Sequence, residues 1–157
     1  MNIRLVIRSL LALVLVIALW FSWWALGRSP EVQLHAAQAE FIEAIQDRDW
    51  DDIQDFFAAD YTDAYGHNRE TVVQTLKQYI SGFFTLDVKT SDLTVQAVKG
   101  QGIVKLKAKL EGNGTAVSQM VLQRVNQMEQ PWVFHWSNPS RWPWNWRLSM
   151  VHNDEVR

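Results

Sequence analysis

The sequence predicts an α+β protein in which three helices precede an antiparallel sheet, with one transmembrane helix ahead of them. Three observations carry that prediction. Residues 9–27 contain no charge, residues 31–80 repeat apolar side chains at helical spacing, and from about residue 86 the apolar period falls to two.

The uncharged segment comes first. Between Arg8 and Arg28 no residue is ionisable as acid or base, and 10–26 is almost wholly apolar. A helix over 9–27 reaches about 28 Å at ~1.5 Å per residue, close to the ~30 Å of a hydrocarbon layer. The helix of a soluble core keeps a polar face, and this segment has none. Arg4 and Arg8 precede it, whereas Arg28 follows it and is offset by Glu31. The bias in flanking bases keeps residues 1–8 in the cytoplasm. Trp20, Trp23 and Trp24 fall at the exit end, where indole rings prefer the interface. The competing reading is a cleaved signal peptide ending at Ala25-Leu26-Gly27. The apolar run is longer than the usual ~7–15 residues and no polar stretch precedes that site, which favours a retained signal anchor at 9–27. Either reading sends the remainder across the membrane. The expected location is the bacterial inner (cytoplasmic) membrane, single-pass, with the C-terminal domain outside.

Ser29-Pro30 then has the N-cap and first-position chemistry of a new helix. Leu34, Ala37, Phe41 and Ile45 share one face of a helix over 31–47, with Glu40, Glu43 and Asp47 opposite. Asp49 caps a short second helix carrying Ile53, Phe56 and Phe57, with Asp52 placed as in a capping box. A brief extended piece over 60–65 leads to the turn Gly66-His67-Asn68. Asn68 caps a third helix through Val72, Val73, Leu76 and Tyr79, ending near Ser81-Gly82. Residues 86–98 then read as a strand interrupted near 90–92. Val104, Leu106, Ala108 and Leu110 alternate with Lys105, Lys107 and Lys109 in a second strand, whose lysine row protects an outer sheet face. Asn113-Gly114 reads as a hairpin turn, with 115–125 returning as a strand. Trp132, Phe134 and Trp136 mark the next strand, and Trp146, Leu148 and Met150 the last. The folded domain is thus 31–151, with 152–157 as a C-terminal tail.

Composition excludes several chemistries. There is no cysteine, so disulfides, thiolate metal sites and cysteine nucleophiles are ruled out. Residues 31–63 carry ten acids against the single base Arg48, and residues 64–157 carry seven acids against eleven bases. That is a solvated acidic helix face, not the concentrated basic surface that nucleic acid requires. His35, His67, His135 and His152 show no ligand spacing. Asp47, Asp49 and Asp51 suggest a calcium loop, but Asp52 stands where glycine is needed and Ala58 where a bidentate glutamate is needed. No metal and no cofactor is expected. Asn113-Gly114-Thr115 is also a glycosylation sequon, read here as a turn.

The stretch Phe41-Ile42-Glu43-Ala44-Ile45-Gln46-Asp47-Arg48-Asp49-Trp50-Asp51-Asp52-Ile53, with Phe56-Phe57-Ala58-Ala59-Asp60-Tyr61 and the turn Gly66-His67-Asn68-Arg69-Glu70, resembles the nuclear transport factor 2-like superfamily. This superfamily is also called cystatin-like or SnoaL-like, and it includes ketosteroid isomerase. The resemblance spans about 31–151 and implies helices leaning on a curved sheet to form a cone with an internal pocket. It also implies what is missing. The isomerase's oxyanion-hole tyrosine falls on Phe41, which has no hydroxyl, and its base falls on Tyr65, which has no carboxylate. Asp63 lies two residues away, but a carboxylate without an oxyanion donor is half a mechanism.

The expected ligand pocket therefore comprises Phe41, Asp63, Tyr65, Trp132, Trp136 and Trp146, although the same aromatics would serve to fill a core. The two prolines of 138–146 make that segment a loop, and its Trp142 and Trp144 are expected to contact the membrane or a partner. The favoured function is a non-enzymatic, membrane-anchored extracytoplasmic module that binds a protein partner or a small apolar ligand, with the lipid bilayer met through 9–27 and a protein partner or homodimer met through the sheet face. The architecture resembles the periplasmic subunit of type IV secretion assemblies, which is usually longer. The alternative is a SnoaL-like enzyme, an isomerase or a hydrolase/lyase, acting on a hydrophobic substrate with Asp63 or His67 as general base. A third expectation is a structural domain with a collapsed pocket.

Overall fold

A computed structural model describes residues 3–27, 29–140 and 142–156; on the first helix it describes the side chains of Ile7 and of residues 10–22. That helix, α1 (Ile3–Leu26), is 24 residues long. Its large apolar side chains from Ile7 to Phe21 are between 51% and 64% exposed. Among the described residues no helix is long and apolar enough to cross a membrane. The backbone helix itself extends further than the described side chains, to about 36 Å at 1.5 Å per residue. The side chains of Arg4, Arg8, Trp23, Trp24, Ala25 and Leu26, on which the orientation and cleavage readings rest, lie outside the described residues, as does Arg28.

The helices of the domain start where local chemistry dictates. Ser29 caps α2 (Pro30–Asp47), its side chain accepting from the Val32 amide. Pro30 sits at the first turn, where a missing N–H costs nothing. One face of α2 buries Leu34, Ala37, Gln38, Phe41 and Ala44. The helix ends on Arg48 in the left-handed region (φ 59°), whose amide reaches the Ala44 and Ile45 carbonyls. Asp49 caps α3 (Trp50–Phe56) by accepting from the Asp52 amide. Asn68 and Thr71 form a full capping box on α4 (Arg69–Ile80). Arg69 donates through Nε and Nη2 to the Gln54 carbonyl, and Lys77 lies 5.8 Å over the Trp50 ring. These two contacts clamp α4 to α3.

The sheet has four antiparallel strands in sequence order: β1 (Phe83–Val98), β2 (Gln101–Gly114), β3 (Trp132–Ser137) and β4 (Arg147–His152). Lys99 and Gly100 both have positive φ (51° and 79°), the geometry of a two-residue hairpin turn matched to strand twist. The interruption expected near 90–92 is a register shift between Ser91 and Thr94, with Asp92 at φ 54°. Such a bulge bends the strand that carries it.

One element differs from its sequence reading. Residues 115–125 were expected as a strand behind an Asn113-Gly114 hairpin, and they form helix α5 (Ala116–Asn126) instead. Thr115 is its N-cap, accepting from the Ser118 amide. Ser118 is 1% exposed, and a Cβ on either Gly82 or Gly114 would collide with it. At the other end, Asn126 accepts from the Leu110 amide (2.7 Å) and donates to the Leu110 carbonyl (2.9 Å). One side chain thus supplies both bonds that a neighbouring strand would have made.

Helix α2 packs across the inner face of the sheet, on β1 and β2 and with side chains reaching β3, and its contacts give its direction. Leu34, in its first turns, meets Gly102 at the start of β2, where a Cβ would strike Leu34 and press on Trp146. One turn later the Gln38 Oε1 accepts from the Trp136 indole at 3.0 Å. Next along, Phe41 meets Phe134 and Trp136 edge-on at 6.3 and 6.1 Å. The N-terminal end of α2 therefore lies at the end of the sheet that carries the β1–β2 turn and the β3–β4 loop.

Candidate ligand cavity

Beyond Phe41 the helix and the sheet part, leaving a cavity of about 620 Å³. Ile42 and Ile45 of α2, Val72, Leu76 and Tyr79 of α4, and Val88, Leu106, Ala108 and Leu110 of the sheet form most of its wall. Val125 of α5 and Val156 of the tail complete it. Ligand pockets of ~300–1,000 Å³ with apolar walls and few polar groups are the usual kind for small molecules.

The tail is held in place. Glu155 Oε1 accepts from the Glu129 and Gln130 amides, and Arg124 donates to the Glu155 carbonyl at 3.0 Å. Asn153, 2% exposed, donates to the Gln130 carbonyl.

The cavity's carboxylate and imidazole lie in one loop, while Thr75 and Tyr79 add hydroxyls on the α4 wall. Asp63 Oδ1 accepts from the amides of Tyr65 (2.9 Å) and His67 (2.8 Å), and Gly66 at φ 88° allows the chain to turn that tightly. The other oxygen, Oδ2, lies 2.8 Å from His67 Nδ1. A carboxylate only accepts, so Nδ1 carries the proton, and in the neutral form of the ring the lone pair is at Nε2. Nε2 has no hydrogen-bond partner among the described residues. The Asp63 side chain is 3% exposed and that of His67 is 32% exposed, so the acid is buried behind the base.

Two tyrosines flank this pair. Tyr61, 3% exposed, points its hydroxyl at Asp63 Oδ2 over a long 3.5 Å. Burial, and then the adjacent Asp63 charge, push its pKa well above the ordinary phenol value. It therefore stays protonated and acts as a donor. The Tyr65 hydroxyl donates to the Asn153 carbonyl (2.9 Å) and accepts from the Asn153 amide (2.7 Å), so it is fully engaged.

Of the residues singled out in the sequence, Phe41, Asp63, Tyr65, His67 and Trp132 meet at this cavity. Trp136 and Trp146 are not among its lining residues; at 1% and 2% exposure they fill the core towards the Leu34 end. Trp142 and Trp144 are on the β3–β4 loop, away from the cavity. Sequence reading placed Ile45, Leu76 and Tyr79 on helix faces without assigning them to a pocket, and it did not anticipate Val125 or Val156. Their signal was the apolar stripe itself, which a filled core would produce equally. Among the described residues no group of three or more His, Asp or Glu could hold a metal ion.

No family model and no curated protein matches this sequence. Solved structures do. Bdellovibrio bacteriovorus Bd1075 superposes with a TM-score of 0.57 at 11% identity over 76% of this chain, which spans only 38% of that protein. An NTF2-like protein of unknown function from Pseudomonas putida KT2440 gives 0.58 at 12% identity, covering 78% of this chain and 84% of that one. A candidate dehydratase of the NTF2-like family from Streptomyces avermitilis gives 0.55 at 14% identity, covering 78% and 93%. The fold is nuclear transport factor 2-like, of the kind also called cystatin-like. At these identities the likeness carries the fold alone.

Proposed function

We propose that this protein is a membrane-anchored, extracytoplasmic binding module whose nuclear transport factor 2-like domain takes up a small, largely apolar ligand with one hydrogen-bonding group. The observation that carries the reading is the apolar cavity of about 620 Å³ with its carboxylate and imidazole at the Asp63–His67 loop. An apolar body would replace water along the α4 and sheet walls at ~25 cal/mol per Å² buried, and the His67 Nε2 lone pair would accept from a ligand hydroxyl. Native mass spectrometry of the detergent-extracted full chain tests this. A small molecule is expected to co-purify and to be lost in Ala108→Trp, which fills the cavity. Identical spectra for the two proteins, without bound mass, would sink the proposal.

The anchor part of the reading rests on the charge-free run 9–27 and on the exposed apolar side chains of α1. The protein is expected to stay in the membrane pellet through alkaline carbonate washing, with its C-terminus digestible only from the extracytoplasmic side. Release by carbonate would remove the anchor and leave the cavity proposal standing.

The Asp63–His67 pair favours a second reading, an enzyme in which His67 removes a proton from a hydrophobic substrate and Asp63 holds its tautomer. Against it, the Tyr65 hydroxyl is already engaged and Tyr61 faces Asp63, so a free donor for a developing negative charge is missing from this loop. The two readings separate in His67→Ala. Binding weakened but not abolished, with no turnover by the parent protein, supports the module, and turnover lost on substitution supports the enzyme.

A further inference from the structure

We infer that Trp142 and Trp144, between β3 and β4, are a second membrane contact, their stacked rings laid into the headgroup layer beside the exit of α1. This rests on the anchor proposed above.

The first observation is the pair itself. The two indoles stack at 5.1 Å between centroids and 19° between planes, yet they are 49% and 60% exposed. Each presents a large apolar face to solvent although this protein buries Trp136 and Trp146 almost completely a few residues away. The loop that carries them is fixed by its own hydrogen bonds. The Asn138 side chain donates to the Trp142 carbonyl at 2.7 Å, and Asn145 donates through its side chain to Ser140 Oγ at 2.6 Å and through its amide to the Trp142 carbonyl at 3.0 Å. The rings are thus held outward by a structured loop, with little ordering entropy left to lose on contact.

The second observation says what covers them. The loop joins the end of β3 to the start of β4, and the Asn138 amide bonds the Gly100 carbonyl of the β1–β2 turn. The first turns of α2 lie at this same end, through Leu34 against Gly102 and Trp146. Only three residues separate the end of α1 at Leu26 from the start of α2 at Pro30. A chain segment that short cannot carry the domain away from the surface where α1 emerges. The bilayer interface is therefore the surface nearest the loop, and it is where indoles with an apolar body and a polar N–H partition best. Lys99 in the adjoining turn and Arg147 at the base of the loop add positive charge on the same side. The cavity lies further along α2, so docking through the loop leaves its mouth in water.

The chain has no cysteine, so single labelling sites are clean. The full-length protein is reconstituted in phosphatidylcholine vesicles with a spin label at Pro143→Cys, between the two rings, or at Leu15→Cys, within α1. Relaxation by oxygen and by a water-soluble nickel chelate reads the depth of each label. Both labels are expected at membrane depths, that at 143 in the headgroup region, and Trp142→Ala/Trp144→Ala is expected to return the 143 label to water, at least tenfold more accessible to nickel. A water-exposed 143 label with a buried 15 label overturns the loop contact and leaves the anchor. Both labels in water overturn the anchor and the contact with it. A 143 label shielded equally in the double alanine variant, or shielded only at high protein-to-lipid ratio, also overturns the contact, the latter in favour of a second copy of the chain.

Discussion

The space between α2 and the sheet is filled at one end and hollow at the other. At the Leu34 end, Trp136, Trp146, Leu148 and Val104 are all 2% exposed or less, and Gly102 is needed because nothing larger fits. At the other end, beyond Phe41, residues of similar character stand apart around some 620 Å³. Both ends use apolar side chains from α2 and the strands, so composition does not set the difference. It follows from where the aromatics fall, Phe134 and Trp136 on β3 and Trp146 just ahead of β4, and from α4 standing off the sheet where a direct contact would have closed the cone. A domain that leaves such volume empty forgoes packing that it has the residues to make, which is the physical argument for a ligand.

The hardest test of this contrast is Trp136→Ala. It empties the filled end and strips the Gln38 carbonyl of its indole partner, while Gln38 Nε2 already lacks one. Loss of about 3–5 kcal/mol is expected, read by denaturant titration of the full chain in detergent. A loss below about 1 kcal/mol would mean the Leu34 end is also loosely packed.

A matched pair of substitutions sharpens the contrast. Gly102→Ala adds one methyl where Leu34 and Trp146 leave no room, and should cost about 1–3 kcal/mol. Ala108→Leu adds three carbons to the cavity wall and should be neutral or stabilising, by up to about 2 kcal/mol, while weakening retention of any bound ligand. Equal costs at the two sites would erase the distinction between the ends.

The wall of the hollow end depends more on local chemistry than on packing. α4 buries only Val72 and Val73, and its start is fixed by the reciprocal bonds of Asn68 and Thr71. Asn68→Ala should cost about 1 kcal/mol, and hydrogen exchange should quicken across α4 before it quickens in the sheet. Exchange that stays uniform would show α4 to be as well packed as α2.

Most of this architecture was legible because it is local. The Leu34, Ala37, Phe41 stripe, the Ser29, Asp49 and Asn68 caps and the lysine alternation of β2 each depend on neighbours within a few residues. The helix α5 was not legible, since Asn113-Gly114 carries a hairpin signal and Val117, Val121 and Val125 suit a strand. What decides for helix is distant in sequence: Ser118 seated on Gly82, and Asn126 standing in for a strand at Leu110. The same holds at the site. Asp63 and His67 were each visible as candidate bases, but on an extended chain they would be roughly 13 Å apart. The tight turn at Gly66 brings them to 2.8 Å. Trp136 and Trp146 were legible as buried aromatics, while which end of the cone they fill depends on the register of β3 against β2 and β4.

The smallest effect concerns the outer side of the filled end. His135 follows Phe134 and precedes Trp136 on β3, so its ring lies on the opposite sheet face, stacked on His152 at 5.4 Å and 22°. Partial burial first, then the His152 ring and Lys105, lower its pKa below the ordinary histidine value. The sign for stability follows. As pH falls through about 6.5, the unfolded chain takes up a proton that folded His135 still refuses, so stability declines and then levels once the folded group also titrates. An NMR titration of the imidazole resonances should place His135 below the ordinary midpoint, and His152→Gln should return it only part of the way, because burial is the larger cause. A normal midpoint for His135 would mean that neither the strand neighbours nor the His152 ring keep water from its imidazole.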